Sequence, residues 1–246
     1  MNVSLDEARE DLRRRQGGGA RYDAASAPAR DLDWARRGTA YFARLLNGLS
    51  DAELDEPSNL EGRLRREIVA HVGYHARALS EIVSRAREAQ SNAMPVPMRV
   101  DIVEVARRAT QPARALRNLF AHSNVHLNVE WRDLDDAQWR AVVGNDPDDA
   151  IVVRDTPWLR ARAIWLHAID LGAGGRLSDA PPEFVEALIT ELSGDHVSDD
   201  YDAAEEGGRS GVRAADAALW LSGRRTRGPD GAASGMSPSP AGLMNL

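Results

Sequence analysis

The sequence predicts a mainly α protein built from long helices, and three observations carry that reading. Apolar residues recur at helical spacing through four extended stretches, the signature of helices that bury one face. Glycine and proline gather between those stretches, as Gly17-Gly18-Gly19 and as Pro95 with Pro97, where they punctuate helices. Two histidines far apart in sequence, His71 and His167, each sit inside a strongly apolar helical pattern, as residues that meet in a bundle core do.

The elements follow in order. Residues 1–30 are charged and rich in glycine and alanine, with Gly17-Gly18-Gly19 breaking any helix, and read as a flexible leader. Asp31-Leu32-Asp33 offers an N-cap before Trp34, Tyr41, Phe42, Leu45, Leu46 and Leu49, so the first helix is expected over 33–49. A second is expected from Arg65 to Ala89, with Ile68, Val72, His75, Leu79, Ile82 and Val83 along one side. At 1.5 Å per residue it is roughly 37 Å long, enough for the spine of a bundle. Asn92 to Arg99 contains Pro95 and Pro97 and reads as a loop.

A third helix is expected over 101–133, bent near Pro112, with Val105, Leu116, Leu119, Phe120 and Leu127 facing inward. Residues 139–153 mix Gly144, Asn145, Asp146 and Pro147 with short apolar pieces, a connector or a hairpin. Thr156-Pro157 opens the fourth helix, with Thr156 as cap and Pro157 at the first turn, and Gly172 closes it. Pro181-Pro182 starts a shorter helix ending near Leu192, and residues 214–222 form one more. The expected organisation is therefore a leader (1–30), a four-helix bundle (31–193) and a small C-terminal region with a low-complexity tail (194–246).

Composition narrows the function. A formal net charge of -7 and no arginine stripe with interleaved aromatics argue against nucleic acid. No apolar run approaches the roughly 20 residues that span a bilayer. No secretory h-region opens the chain, so the expectation is a cytoplasmic monomer acting on a small molecule. The absence of cysteine removes disulfides, thiolate metal sites and a cysteine nucleophile together. Any thiol chemistry must come from a cofactor.

His71 and His167 are the leading candidate site residues, as ligands of a divalent metal or as hydrogen-bonded structural histidines. The carboxylate that would complete such a site belongs one turn before His167, where this chain has Ala163. His75 lies one turn after His71 and could offer a second imidazole from the same helix. His122 and His126 repeat that spacing, with an exposed or hydrogen-bonded cluster as the favoured reading. Asp170, three residues beyond His167, could orient the imidazole or pair with an arginine. The six tryptophans are read as core anchors and helix-end packing. Arg224, followed by Arg225 and Arg227, could grip a carboxylate bidentately or lie solvated in the tail.

Several strings resemble, in order, the mycothiol-dependent maleylpyruvate isomerases. They are Leu32-Asp33-Trp34-Ala35-Arg36-Arg37-Gly38-Thr39, Leu60-Glu61-Gly62 with Ile68-Val69-Ala70-His71-Val72-Gly73-Tyr74, His122-Ser123 through Val129-Glu130-Trp131-Arg132, and Trp165-Leu166-His167-Ala168-Ile169-Asp170-Leu171. A weaker match covers Ala218-Leu219-Trp220-Leu221-Ser222-Gly223-Arg224. The resemblance implies a DinB-like four-helix bundle with a small α/β C-terminal domain, which this sequence carries in degenerate form. It implies a divalent metal, usually zinc, on two histidines and a glutamate; His71 and His167 match, and the glutamate position falls on Ala163. It implies that mycothiol supplies the thiol and that Arg224 holds a substrate carboxylate. The activity implied is cis–trans isomerisation of maleylpyruvate to fumarylpyruvate in gentisate breakdown, or a related thiol transfer. The alternative is a catalytically silent relative that binds a small molecule or a partner.

Overall fold

The computed structural model describes residues 22–88, 102–144, 150–194 and 210–224. Its helices are α1 (Ala29–Asn47), α2 (Arg65–Arg87), α3 (Ile102–Ala109), α4 (Ala113–Asp133), α5 (Thr156–Asp170), α6 (Pro182–Gly194) and α7 (Ser210–Leu221). Strands β1 (Val142–Val143) and β2 (Ile151–Val152) pair antiparallel, Val142 opposite Val152. The fold is mainly α, as the apolar periodicity predicts. No helix among the described residues is long and apolar enough to cross a membrane.

Boundaries moved for physical reasons. Helix α1 begins at Ala29 because the Pro28 carbonyl accepts the first helical bond, from Leu32 N at 3.0 Å. Asp31 then lies in the first turn, where its charge favours the helix dipole. The expected third helix is two, α3 and α4, because Pro112 takes an extended ψ of 145° and has no N–H to continue the ladder. The connector is the hairpin β1–β2. Thr156 does not cap α5: its hydroxyl donates to Val153 O at 2.7 Å and accepts the Trp131 indole N–H at 2.9 Å. The leader before residue 22, the Pro95/Pro97 loop, the acidic stretch 195–209 and the tail beyond Arg224 lie outside the described residues.

The chain divides into two compact units. The first comprises residues 1–36 and 69–161. Its core gathers Val72, Leu79, Ile82 and Val83 of α2 with Val105 of α3 and Leu116, Phe120, Leu127 and Trp131 of α4. Gly73 sets how closely α2 approaches α4, since a Cβ there would stand 2.8 Å from Leu119 Cγ. Trp34 meets Trp158 edge-on, with ring centroids 5.9 Å apart.

The second unit comprises residues 37–68 and 162–246. Phe42 and Leu46 of α1, Ile164 and Trp165 of α5, and Phe184 and Leu188 of α6 are buried in it, and α6 packs on α7. Trp165 lies between Tyr41 and Phe184, at 5.0 and 6.0 Å. The Tyr41 hydroxyl donates to Asp179 at 2.6 Å and accepts from Arg176 N at 2.9 Å. Where the resemblance implies an α/β C-terminal domain, the described residues after 152 contribute helices and no strand.

Candidate functional site

Among the described residues each unit holds a cluster of buried polar side chains. In the second unit the cluster grows from the end of α5, which presents His167 and Asp170 one turn apart. His167 is fully buried and Asp170 1% exposed. His167 Nδ1 lies 2.8 Å from Asp170 Oδ2, and Arg224 Nε and Nη2 reach the same carboxylate at 2.8 and 2.7 Å. Gly223, with φ 74°, turns the chain out of α7 so that Arg224 can fold back onto Asp170.

Burial pushes the Asp170 carboxyl up. The charge of Arg224, followed by the hydrogen bond and charge of His167, outweighs that and holds it below the usual carboxylate range. In its neutral form His167 gives this carboxylate its Nδ1–H, which places the imidazole lone pair on Nε2. The loop before α2 braces the end of α5. The Asn59 amide donates to Ile169 O at 2.7 Å, Asn59 N to Asp170 O at 2.8 Å and Arg65 Nη2 to Gly172 O at 2.9 Å.

In the first unit the cluster centres on Arg160, near the start of α5. Its side chain is completely buried. Nη1 donates to Val72 O at 2.9 Å and to His75 Nδ1 at 3.2 Å, and Nη2 donates to Asn124 Oδ1 at 2.8 Å. Nε is buried with no acceptor. Burial draws the Arg160 pKa down to about 9, which keeps it cationic at neutral pH. His71 and His75 are 2% and 6% exposed, their near-parallel rings 6.4 Å apart.

The sequence-predicted residues fall in both units. His167, Asp170 and Arg224 come together, so both readings of Asp170 hold: it orients an imidazole and pairs with an arginine. His71 and His75 lie in the other unit. Ala163 is 1% exposed, a buried methyl where the resemblance implies a ligand carboxylate. His122 and His126 are exposed, and His126 pairs with Glu130 at 3.2 Å. Trp34, Trp131, Trp139 and Trp165 are buried anchors. Sequence reasoning passed over Arg160. Its signal was one charged residue on the apolar face shared with Ala163, Ile164 and His167, at helical spacing.

The donor set does not fit the divalent metal that the resemblance implies. Position 163 has no ligand atom, and no three His, Asp or Glu among the described residues form a metal-holding group. His75 accepts from Arg160 at Nδ1, so its proton sits on Nε2 and a guanidinium adjoins the ring. A cation at that distance opposes a second cation.

Residues 35–172 match the family described as the mycothiol maleylpyruvate isomerase N-terminal domain. The chain belongs to this family. A crystal structure of the mycothiol-dependent maleylpyruvate isomerase is similar at a TM-score of 0.68 and 29% identity, over 81% of this chain and 90% of that one. A histidine-to-alanine mutant of such an isomerase is similar at 0.68 and 30%, over 82% and 90%. No curated protein matches the chain. Family membership accounts for the DinB-like, mainly α fold and for the ordered strings around His71 and His167. Position 163, where the resemblance implies a glutamate, holds Ala163.

Proposed function

We propose that this protein is a thiol-dependent cis–trans isomerase of the maleylpyruvate type, converting maleylpyruvate to fumarylpyruvate in gentisate breakdown. The observation that carries the reading is the family match across residues 35–172, which includes both buried polar clusters except Arg224. Mycothiol, when bound, supplies the sulfur nucleophile that a chain with no cysteine lacks. The chain's own chemistry suits it: His167, in its neutral form, carries its basic nitrogen on Nε2, with Asp170 fixing that tautomer at 2.8 Å.

In this reading His167 takes a proton as a thiol adds to the cis double bond and returns it as the thiol leaves. Asp170 stabilises the imidazolium formed between those events. Arg224 keeps Asp170 ionised through two hydrogen bonds and positions it. Its proposed grip on a substrate carboxylate falls to whatever donor capacity remains after that pairing. The reading includes a cytoplasmic monomer acting on a small-molecule substrate.

The alternative, a catalytically silent relative, is favoured by Ala163 and by the lack of strands among the described residues after 152. Turnover of maleylpyruvate with purified protein and mycothiol, with and without zinc, separates the two. Turnover without zinc that His167→Ala abolishes supports the isomerase. No turnover in either condition, with zinc retained only by an Ala163→Glu variant, makes the silent relative the correct reading.

A further inference from the structure

A guanidinium buried without a counter-charge is costly, because its attraction to neutral acceptors does not replace the water it has lost. Arg160 is such a group. Of its five N–H donors, the two on Nη1 serve Val72 O and His75 Nδ1, and one on Nη2 serves Asn124 Oδ1. The Nε–H has no acceptor, and Asn124 Oδ1 takes one of the two hydrogens on Nη2. Among the described residues no carboxylate reaches Arg160, whereas Arg224, nearly as deeply buried, is matched by Asp170. Nε and Nη2 form the edge of the guanidinium whose spacing matches the two oxygens of a carboxylate.

We propose that Arg160 is the cationic centre of a carboxylate-binding site beneath Asn124, completed by one carboxylate of a small dicarboxylate substrate. Asn124 gives access. It is half-buried on α4, and its amide bridges Arg160 Nη2 and Phe120 O, at 2.8 and 2.6 Å. A side chain shift there brings solvent to a cation one residue beneath the surface. His75 and Val72 O hold the other side of the guanidinium in place, so its open edge is oriented before a ligand arrives. The proposal rests on the isomerase reading for the class of its ligand, an unsaturated dicarboxylate. It also accounts for a fixed positive charge in a chain whose metal ligand set is incomplete.

The experiment uses the full chain, with maleate as probe and chloride at matched ionic strength as control, read by thermal unfolding and calorimetric titration. Maleate should raise Tm above the chloride value in the parent. Arg160→Met should lose that increment and weaken maleate binding by at least about tenfold. Asn124→Asp, nearly isosteric, places a carboxylate of the chain's own against Nη2. It should raise Tm in chloride and abolish the maleate increment, and it decides the matter if Arg160→Met fails to fold. Equal Tm in maleate and chloride, an increment that survives in Asn124→Asp, or an Asn124→Asp variant less stable than the parent overturns the proposal. An increment of equal size with sulfate also overturns it, since that marks a general anion effect. Turnover of maleylpyruvate is assayed separately. A maleate site without turnover refutes the isomerase and leaves the site standing, while turnover without an Arg160-dependent maleate increment does the reverse.

Discussion

Arg160 and Arg224 are both buried arginines, and they are held in opposite ways. Arg224 spends Nε and Nη2 on the Asp170 carboxylate at 2.8 and 2.7 Å, so its charge is cancelled within the second unit. Arg160 faces a carbonyl, an amide and an imidazole in the first unit, all neutral acceptors, and keeps its charge uncancelled. The residue type is the same and the burial nearly so. The partner decides whether the cation clamps the fold or waits for a ligand.

The sharpest way to break that contrast is to remove the partner of the clamp. Asp170→Ala leaves Arg224 and His167 buried without their carboxylate, and should cost about 3–5 kcal/mol of stability. Chemical denaturation measures it. A loss no greater than that of a surface substitution would sink the clamp reading.

Next comes the matched pair Arg224→Met and Arg160→Met. The first strands a carboxylate that is 1% exposed and should approach the Asp170→Ala loss. The second removes a cost together with three hydrogen bonds to neutral groups, and should destabilise by about 1–2 kcal/mol at most. Equal losses for the two would show that Arg160 is no less compensated than Arg224.

Much of this was legible in the sequence, and the exceptions have identifiable causes. The faces of α2 and α4 were readable because apolar side chains that bury together must recur every three to four residues. Asp170 was readable because three positions along a helix bring it beside His167. The break at Pro112 was visible as a bend only, since proline interrupts the ladder without specifying how far the next helix turns away. Arg160 was hidden because its partners, Val72 O and Asn124, come from α2 and α4, and sequence spacing does not report which helices meet. The fold-back of Arg224 was hidden for the same reason: Asp170 lies 54 residues earlier.

A smaller effect sharpens the comparison with a neutral group satisfied on both sides. Tyr41→Phe removes the bonds to Asp179 and Arg176 N and should cost about 1 kcal/mol. Burial and then the hydrogen bond to Asp179 raise the Tyr41 pKa above its ordinary value of 10.0. Its contribution is therefore fully present below pH 10 and is lost as pH rises through the folded-state value. The parent should lose stability above pH 10 by a component that Tyr41→Phe lacks, seen in denaturation curves across that range. The smallest effect belongs to the solvent-facing pair. His126→Ala breaks a contact to Glu130 from a side chain that is 60% exposed, and should stay within about 0.5 kcal/mol of the parent.

The carbonyls at the end of α5 and just beyond it accept from residues more than a hundred positions earlier in the chain: Asn59 donates to Ile169 O and Asp170 O, and Arg65 donates to Gly172 O. That stitching has a kinetic signature. The amide of Asn59 and those around Leu171 should exchange their hydrogens at a common slow rate, as one cooperative opening unit, although they are remote in sequence. An Asn59→Ala substitution should uncouple them, letting the end of α5 fray on its own and admitting water to the His167–Asp170 pair long before the protein unfolds.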